Sequence, residues 1–335
     1  MRRVFSIITI LILLVACSPH TEAVVVYTSV DQVFSEPILK RFEEETGIKV
    51  LPVYDVEAAK TTGLVNRLIA EKSHPVADVF WSGEFAQTII LQEEGVLAPY
   101  VPSAADGIPA VYRDIDGYWT GFAGRARVFL VNTDLVSEDR MPDSLEDMLD
   151  PSWPAEQIGI AYPLFGTTAT HAAALYAHWG ASEARLFFEK LAERGIRVVD
   201  GNAVVRDMVV DGRLAFGLTD TDDACSAVEA GQPVRIILPD QGDGQLGTLI
   251  IPNTVALIEG APNPAIGKQF IDYLHTDAVA AELMASGWSH VDLHSGATVA
   301  ACLEGQSIRG MDVSLGSVYD QMQLSKEELT AIFVR

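Results

Sequence analysis

Residues 24–53 read VVVYTSVDQVFSEPILKRFEEETGIKVLPV, and this stretch decides the fold. The β-branched runs at 24–27 and 49–53 predict two short strands, while residues 36–46 carry apolar side chains at helical spacing. Gly47 follows directly, as expected for the left-handed residue that ends many helices. The stretch therefore predicts one strand–helix–strand unit.

The same alternation continues along the chain. Residues 61–71 predict a helix, and residues 78–81 predict a strand before a helix at 85–94. The middle of the chain repeats the pattern, with strand and helix pairs at 158–162 and 167–180, 197–199 and 203–211, and 214–218 and 222–230. This alternation is typical of α/β folds, and 335 residues suffice for two hydrophobic cores.

Two extended apolar segments, 126–132 and 248–258, lie between these groups of elements. We predict that they are crossover strands forming a hinge between two lobes. The first lobe would comprise residues 24–125 and 252–300, and the second residues 126–251 and 301–335. Ligands of open α/β sheets bind at the ends of the strands, so a cleft between the lobes is the expected site.

The N-terminus has the features of an export signal. Arg2 and Arg3 precede an apolar run, residues 4–16, that is too short to span a membrane. The sequence Leu-Val-Ala-Cys at 14–17 looks like the lipobox of bacterial lipoproteins, which implies removal of residues 1–16 and lipidation of Cys17. Residues 17–23 would then be a tether, and the protein would lie outside the cytoplasm in the cell envelope, anchored to a membrane.

The charge and the cysteines exclude some classes of protein. The formal charge of −23 becomes −25 when Arg2 and Arg3 are removed, and so acidic a chain is repelled by nucleic acids. Besides Cys17 the chain has Cys225 and Cys302, without the spacing of a zinc knuckle. These two cysteines either form a disulfide or remain as two buried thiols.

An ordered series of landmarks resembles the periplasmic ferric-ion-binding proteins, which are type II solute-binding proteins of ABC importers. The landmarks are Tyr27-Thr28-Ser29, FEEETGIKV at 42–50, ADVFWS at 77–82, GRAR at 124–127 and the late helix at 267–274. The resemblance implies an α/β Venus-flytrap fold of two lobes with two crossover hinge strands. It also implies a monomer without enzymatic activity, which delivers a small ligand to a transporter permease.

The resemblance also implies a set of site residues, with one marked departure. Family members hold iron through two adjacent tyrosines, a histidine, a glutamate and an exogenous anion. The tyrosine positions fall on Asp222 and Asp223, the histidine position on Asp31, and the glutamate position on Gly83 beside Glu84. No resident cofactor is expected, but a ferric or other hard cation could bind to these carboxylates together with a synergistic anion.

The anion site of the family matches better. Gly166, Thr167 and Thr168 align with its phosphate-cradling loop, and Asn202 aligns with an anion contact. A helix N-terminus with threonine caps attracts anions physically, although the threonines could simply cap the helix. Further residues expected at the cleft follow the first two strands: Thr28, Ser29 and Thr61.

The acidic run after the strand at 214–218 has several interpretations. Asp220, Asp222 and Asp223 repel one another, and a bound cation or ammonium group would relieve the repulsion. They could instead cap the next helix, or form structural ion pairs with Arg125 or Arg206. Because side chains alternate along a strand, we expect one of Arg125 and Arg127 to face the cleft and the other the surface.

Three functions remain open from the sequence. The first is capture of ferric iron or a related ligand. The second is capture of an organic phosphate or aminophosphonate, with Thr167 and Thr168 on the anion and Asp222 on the ammonium. The third is a metal-dependent phosphohydrolase using Asp220 and Asp222, whose spacing is similar to haloacid-dehalogenase phosphatases, except that Ala224 departs from that motif.

Overall fold

The computed structural model describes residues 22–55, 62–294 and 299–334. The strands in these ranges are β1 (Ala23–Thr28), β2 (Lys49–Tyr54), β3 (Val79–Ser82), β4 (Leu97–Ala98), β5 (Thr120–Asn132), β6 (Ile158–Ala161), β7 (Arg197–Val199), β8 (Phe216–Asp220), β9 (Val234–Ile237), β10 (Ile250–Ile258) and β11 (Val291–Asp292). The α-helices are α1 (Gln32–Thr46), α2 (Thr62–Glu71), α3 (Ala86–Glu93), α4 (Gly166–Trp179), α5 (Ala181–Arg194), α6 (Asn202–Val210), α7 (Thr221–Glu229), α8 (Pro264–Leu274), α9 (Asp277–Ala285) and α10 (Leu315–Phe333).

The opening strand–helix–strand unit forms as its sequence predicts. β1 and β2 pair in parallel, and α1 packs against them through Ile38, Leu39 and Phe42. Gly47 adopts φ 74°, and its N–H donates to the carbonyl of Glu43 at 2.9 Å. The helix starts at Gln32, four residues before the predicted start, although it contains Pro37. The apolar face buried against the sheet outweighs the one hydrogen bond that proline removes.

The sheet joins two halves through two long strands. Its order is β2-β1-β3-β10-β5-β8-β6-β7, with β4 on β10 and both β9 and β11 on β5. β5 pairs with β10 as far as Ala126 and with β8 from Arg127 onward, so it changes partner within one residue. β5 therefore connects the two halves through its pairing, and β10 connects them through the chain, because it follows β9 of one half and pairs with β3 and β4 of the other.

β5 is longer than predicted because its first residues, which include Gly121 and Gly124, have weak strand preference. A β-carbon at Gly121 would lie 2.9 Å from Pro252, and one at Gly124 would lie 2.8 Å from Ile250. Side-chain atoms of β10 thus come close enough to favour glycine at both places. Tertiary packing, rather than local preference, extends the strand back to Thr120.

α10 packs across both halves of the molecule. It lies on α4 and α5, where Tyr176 donates a hydrogen bond to Glu328 at 2.8 Å. It also reaches α3, where the hydroxyl of Tyr319 donates to Glu93 at 3.0 Å. The C-terminal helix is thus fixed to helices on each side of the crossover strands.

Cys225 and Cys302 form a disulfide, which decides between the two alternatives left open by the sequence. Their Cα atoms lie 5.4 Å apart, and the bond joins α7 to the short 3-10 helix Ala301–Leu303 across 77 residues of chain.

No helix within the described residues is long and apolar enough to span a membrane. Cys17 and Thr61 lie outside the described residues, so lipidation and the role of Thr61 stay predictions.

We expect Cys302→Ala to lower the free energy of unfolding by about 2–5 kcal/mol, because the disulfide restricts a long loop in the unfolded chain. Urea unfolding followed by circular dichroism measures the change. Reduction of the wild-type protein should reproduce the loss and should leave the variant unaffected. An unchanged unfolding midpoint in the variant would contradict this role of the disulfide.

Candidate functional site

A buried ion pair lies where β5 changes partner. Arg127 has no exposed surface, and its Nη1 donates to Oδ1 of Asp220 at 2.6 Å. The two residues are direct neighbours in register on β5 and β8. Burial alone would raise the pKa of Asp220, but Arg127 and Arg125 outweigh burial and keep this pKa below its usual value. The pair therefore stays charged in the interior.

The predicted anion-contact residues surround this pair. Thr167 donates from its hydroxyl to Asp220 at 2.5 Å, and the side-chain amide of Asn202 donates to Asp220 at 3.0 Å. Arg127 in turn donates to Thr167, Asn202 and Thr168 at 3.2, 3.1 and 3.3 Å. The structure thus brings together four predicted residues, but their side chains bind mainly to Arg127 and to one another.

Each carboxylate of the acidic run has its own arginine partner. Besides the Arg127–Asp220 pair, Arg125 lies 3.2 Å from Asp222 and Arg206 lies 3.0 Å from Asp223. The repulsion within the run is therefore relieved by guanidinium groups, which is the structural ion-pair alternative noted from the sequence. Among the described residues, these aspartates do not gather three donor oxygens around one point as a metal ion would require. Their assignment as metal ligands stays a prediction.

The two arginines of the crossover strand do not divide between cleft and surface, so that prediction was wrong. The side chain of Arg127 is 0% exposed and that of Arg125 is 17% exposed. Residues two apart on a strand lie on the same face, so Arg125 and Arg127 share one side of β5, and other elements pack over this central strand. Sequence reasoning identified Arg127 only as one of two neighbouring arginines. No feature of the sequence indicated that it lies at the centre of the site.

Trp288 is a neighbour of the site that sequence reasoning missed. A β-carbon at Gly83 would lie 3.0 Å from this indole, so the tryptophan fills the space beside the predicted ligand position. Its ring lies 5.6 Å from the guanidinium of Arg125 and 5.1 Å from the ring of Phe34, and its N–H donates to Asn253 at 2.7 Å. Gly83 has no side chain to offer, and its N–H already donates to Ser29 at 3.0 Å. A single tryptophan after a helix end has no periodicity that could have revealed this contact.

The remaining predicted residues of the first half lie at strand ends. Thr28 is fully buried and accepts a hydrogen bond from the N–H of Val30 at 3.0 Å. Asp31 precedes α1, and its carbonyl accepts from the N–H groups of the first turn. Glu84 accepts from the N–H groups of Ala86 and Gln87 at 3.0 and 3.1 Å. Burial raises the pKa of Glu84, and these N–H groups only partly offset the effect.

A cavity of about 910 Å³ lies between the two halves. Four predicted residues line it: Glu84, Arg125, Gly166 and Thr167. α4 begins at Gly166, so its first N–H groups, which have no partners within the helix, lie at the cavity wall. α10 contributes further side chains, among them Tyr319 and Lys326. The cavity therefore offers a helix N-terminus and the two cationic side chains of Arg125 and Lys326, together with the carboxyl groups of Glu84 and Asp320.

A family model described as "Bacterial extracellular solute-binding protein" matches residues 38–290. The chain belongs to this family. The major ferric iron-binding protein of Neisseria meningitidis serogroup A is 25% identical over 269 residues, which cover 78% of this solute-binding protein and 78% of the relative. The prediction of a solute-binding protein similar to the periplasmic ferric-ion-binding proteins is confirmed, and so is its extracytoplasmic class.

Solved structures confirm the two-lobed fold. The Trichodesmium protein IdiA (FutA) in complex with iron and citrate has a TM-score of 0.83 at 21% identity, covering 93% of this solute-binding protein and 100% of the other chain. AfuA from Actinobacillus pleuropneumoniae with bound fructose-6-phosphate has a TM-score of 0.68 at 20% identity, with coverages of 94% and 99%. At these identities the likeness concerns the fold alone.

We expect Arg127→Met to reduce the free energy of unfolding by about 3–5 kcal/mol, because it leaves Asp220 charged, buried and without its partner. Combining it with Asp220→Asn should recover part of the loss. Arg213→Met, which removes an exposed pair with Asp211, is the matched control and should change stability by less than about 1 kcal/mol. Equal effects of the two arginine substitutions in urea unfolding would argue against a central role for Arg127.

The pKa of Asp223 is raised to about 6 by burial and by the nearby Asp222, with Arg206 opposing the shift. The folded chain therefore holds this proton more tightly than the unfolded chain, and charging Asp223 destabilises the fold as pH rises through this range. We expect Asp223→Asn to gain about 1–2 kcal/mol relative to wild type between about pH 4 and 7. Urea unfolding at several pH values measures the gain. Asp207→Asn alters the exposed partner of Arg206 and should show no such pH-dependent gain in stability. If the free energies of unfolding of Asp223→Asn and wild type change with pH in parallel, the raised pKa of Asp223 is refuted.

Proposed function

We propose that this solute-binding protein captures an anionic small molecule in the cavity beside Arg125 and the start of α4, and delivers it to the permease of an ABC importer. One observation carries the proposal. The three carboxylates of the acidic run already pair with Arg125, Arg127 and Arg206, whereas the first N–H groups of α4, which have no partners within the helix, lie at the cavity wall.

The physical balance favours an anion over a bare cation. A helix N-terminus carries a partial positive charge, and Arg125 and Lys326 add to it within the same cavity. Asp320 and Glu84 oppose this charge, but burial raises the pKa of Glu84 and so favours its neutral form. A cation on the acidic run would have to displace guanidinium groups, and Arg127 would then be buried without a partner. Breaking a buried pair in this way costs roughly 3–5 kcal/mol.

Two ligand classes fit this arrangement. The first is an organic phosphate, which is supported by the fructose-6-phosphate bound to the structural relative from Actinobacillus pleuropneumoniae. The second is ferric iron accompanied by a chelating anion, which is supported by the ferric iron-binding relative and by the iron and citrate in the Trichodesmium complex. In the second case the anion would supply most of the oxygen ligands, because Asp222 and Asp223 are engaged with arginines.

We infer that the chain is a receptor without catalytic activity. Asp220 and Asp222 would be the catalytic carboxylates of a phosphohydrolase, but Asp220 is held by Arg127, Thr167 and Asn202. A carboxylate so occupied has little freedom to bind a metal ion or attack a phosphate. From the sequence, we further propose that the protein is a monomer anchored to a membrane through a lipid on Cys17.

Calorimetric titration with fructose-6-phosphate, citrate, ferric citrate and an unchelated divalent metal salt tests the ligand class. We expect an anion to bind and Arg125→Met to weaken it by about 2–5 kcal/mol, the usual effect of truncating a buried charge pair. Arg235→Met removes an exposed arginine and is the control. Binding of ferric citrate but not citrate alone would select the iron alternative. Tight binding of the bare metal salt, indifferent to Arg125→Met, would refute recognition through the anion.

A further inference from the structure

The Cys225–Cys302 disulfide, which involves helix α7, lies close to the buried side chain of His290. The donor atoms of Cys225, His290 and Cys302 all lie within 4.8 Å of one another. Cys225 and His290 are only 1% and 2% exposed, while Cys302 is half-buried. Among the described residues this is where three metal-ligating side chains gather.

Each of the three residues is held by a different element. Cys225 belongs to α7, one turn after Asp222, and Cys302 belongs to the 3-10 helix Ala301–Leu303. His290 immediately precedes β11, where its N–H donates to the carbonyl of Gly124 at 2.8 Å and its carbonyl accepts from Ala300 at 3.0 Å. Sites of this kind, built from distant segments on fixed backbones, keep their donors close together without a bound ion.

The imidazole of His290 is available as a ligand. Its Nδ1 is buried and has no hydrogen-bond partner among the described residues. Such an orphaned polar atom is uncommon in protein interiors. Burial lowers the pKa of this histidine, so the ring is neutral at neutral pH, the form that coordinates metals.

We propose that Cys225, His290 and Cys302 bind one Zn²⁺ ion, or a similar divalent cation, when the disulfide is reduced. In the oxidised protein the two sulfurs are bonded to each other and neither is a thiolate. A dithiol reductant supplies two electrons and two protons, so that the S–S bond breaks, two thiols form and the reductant becomes a disulfide. The half-buried Cys302 is the sulfur open to this exchange.

The reduced site has the donors that zinc prefers. Two thiolates and one imidazole are soft and borderline ligands, and a water molecule can take the fourth tetrahedral position. Metal binding releases the two thiol protons, so affinity increases with pH. The metal and the disulfide exclude each other, and each joins α7 to the segment after β11. The inference concerns a site separate from the proposed ligand cavity and does not depend on the identity of that ligand.

Cobalt and zinc titrations test the proposal. The full chain is reduced with dithiothreitol, which is then removed under anaerobic conditions, and Co²⁺ is added as a spectroscopic probe. We expect a sulfur-to-cobalt charge-transfer band that saturates at a single ion per chain in the reduced protein and is absent in the oxidised protein. His290→Asn should weaken binding by roughly tenfold or more, while His178→Asn, which alters an exposed histidine, should have no effect.

Thermal unfolding separates a folded site from metal capture by loose thiols. Zn²⁺ should raise the melting temperature of the reduced wild-type protein, because a ligand of the folded state stabilises it. It should not raise the melting temperature of reduced His290→Asn, or of the Cys225→Ser, Cys302→Ser double variant. The proposal is overturned if reduced protein is unfolded by circular dichroism, if oxidised protein binds cobalt equally, or if His290→Asn binds as tightly as wild type.

Discussion

The buried Arg127–Asp220 pair is the interaction on which the rest of the site depends. It joins β5 to β8 at the residue where β5 leaves β10, and its hydrogen bonds reach the start of α4 through Thr167 and the start of α6 through Asn202. In an interior of low dielectric such a pair is stabilised by hydrogen bonds to its remaining donors and acceptors. The threonine and asparagine side chains bind the Nη atoms of Arg127 and Oδ2 of Asp220, while Nε of Arg127 has no partner among the described residues. These hydrogen bonds link the positions of two helix N-termini to one crossover strand.

This arrangement explains how a strongly acidic protein can present a cavity suited to anions. The formal charge of the chain is −23, yet each aspartate of the acidic run is matched by a guanidinium. The charge of the acidic run is thereby close to balanced, and the N-terminus of α4 and Lys326 then supply positive charge at the cavity wall, opposed by the carboxyl groups of Glu84 and Asp320. Net charge governs long-range repulsion, whereas recognition depends on groups a few ångströms from the ligand.

The connections between the two halves of the molecule also lie near the Arg127–Asp220 pair. β5 and β10 cross from one half to the other, Trp288 rests on Arg125 and donates to Asn253 of β10, and α10 touches helices on both sides. Lobes joined by two strands can change their relative orientation through small dihedral changes in a few residues. Closure around a ligand would therefore act directly on the residues that line the cavity.

The sequence by itself determined the α/β alternation, the helix end at Gly47 and the crossover strands, because these follow from periodicity and backbone preference over a few neighbouring residues. It also predicted Thr167, Thr168 and Asn202 as anion contacts through a family resemblance, and Asp220 as a ligand-binding residue from the repulsion within the acidic run. Only the tertiary structure decided which arginine pairs with which aspartate, that Trp288 fills the space at Gly83, and that Cys225 bonds to Cys302. Arg125 and Asp222, for example, are 97 positions apart, and no local pattern specifies such a partner. Strand alternation puts Arg125 and Arg127 on the same face of β5, but whether that face meets solvent depends on what packs over the strand.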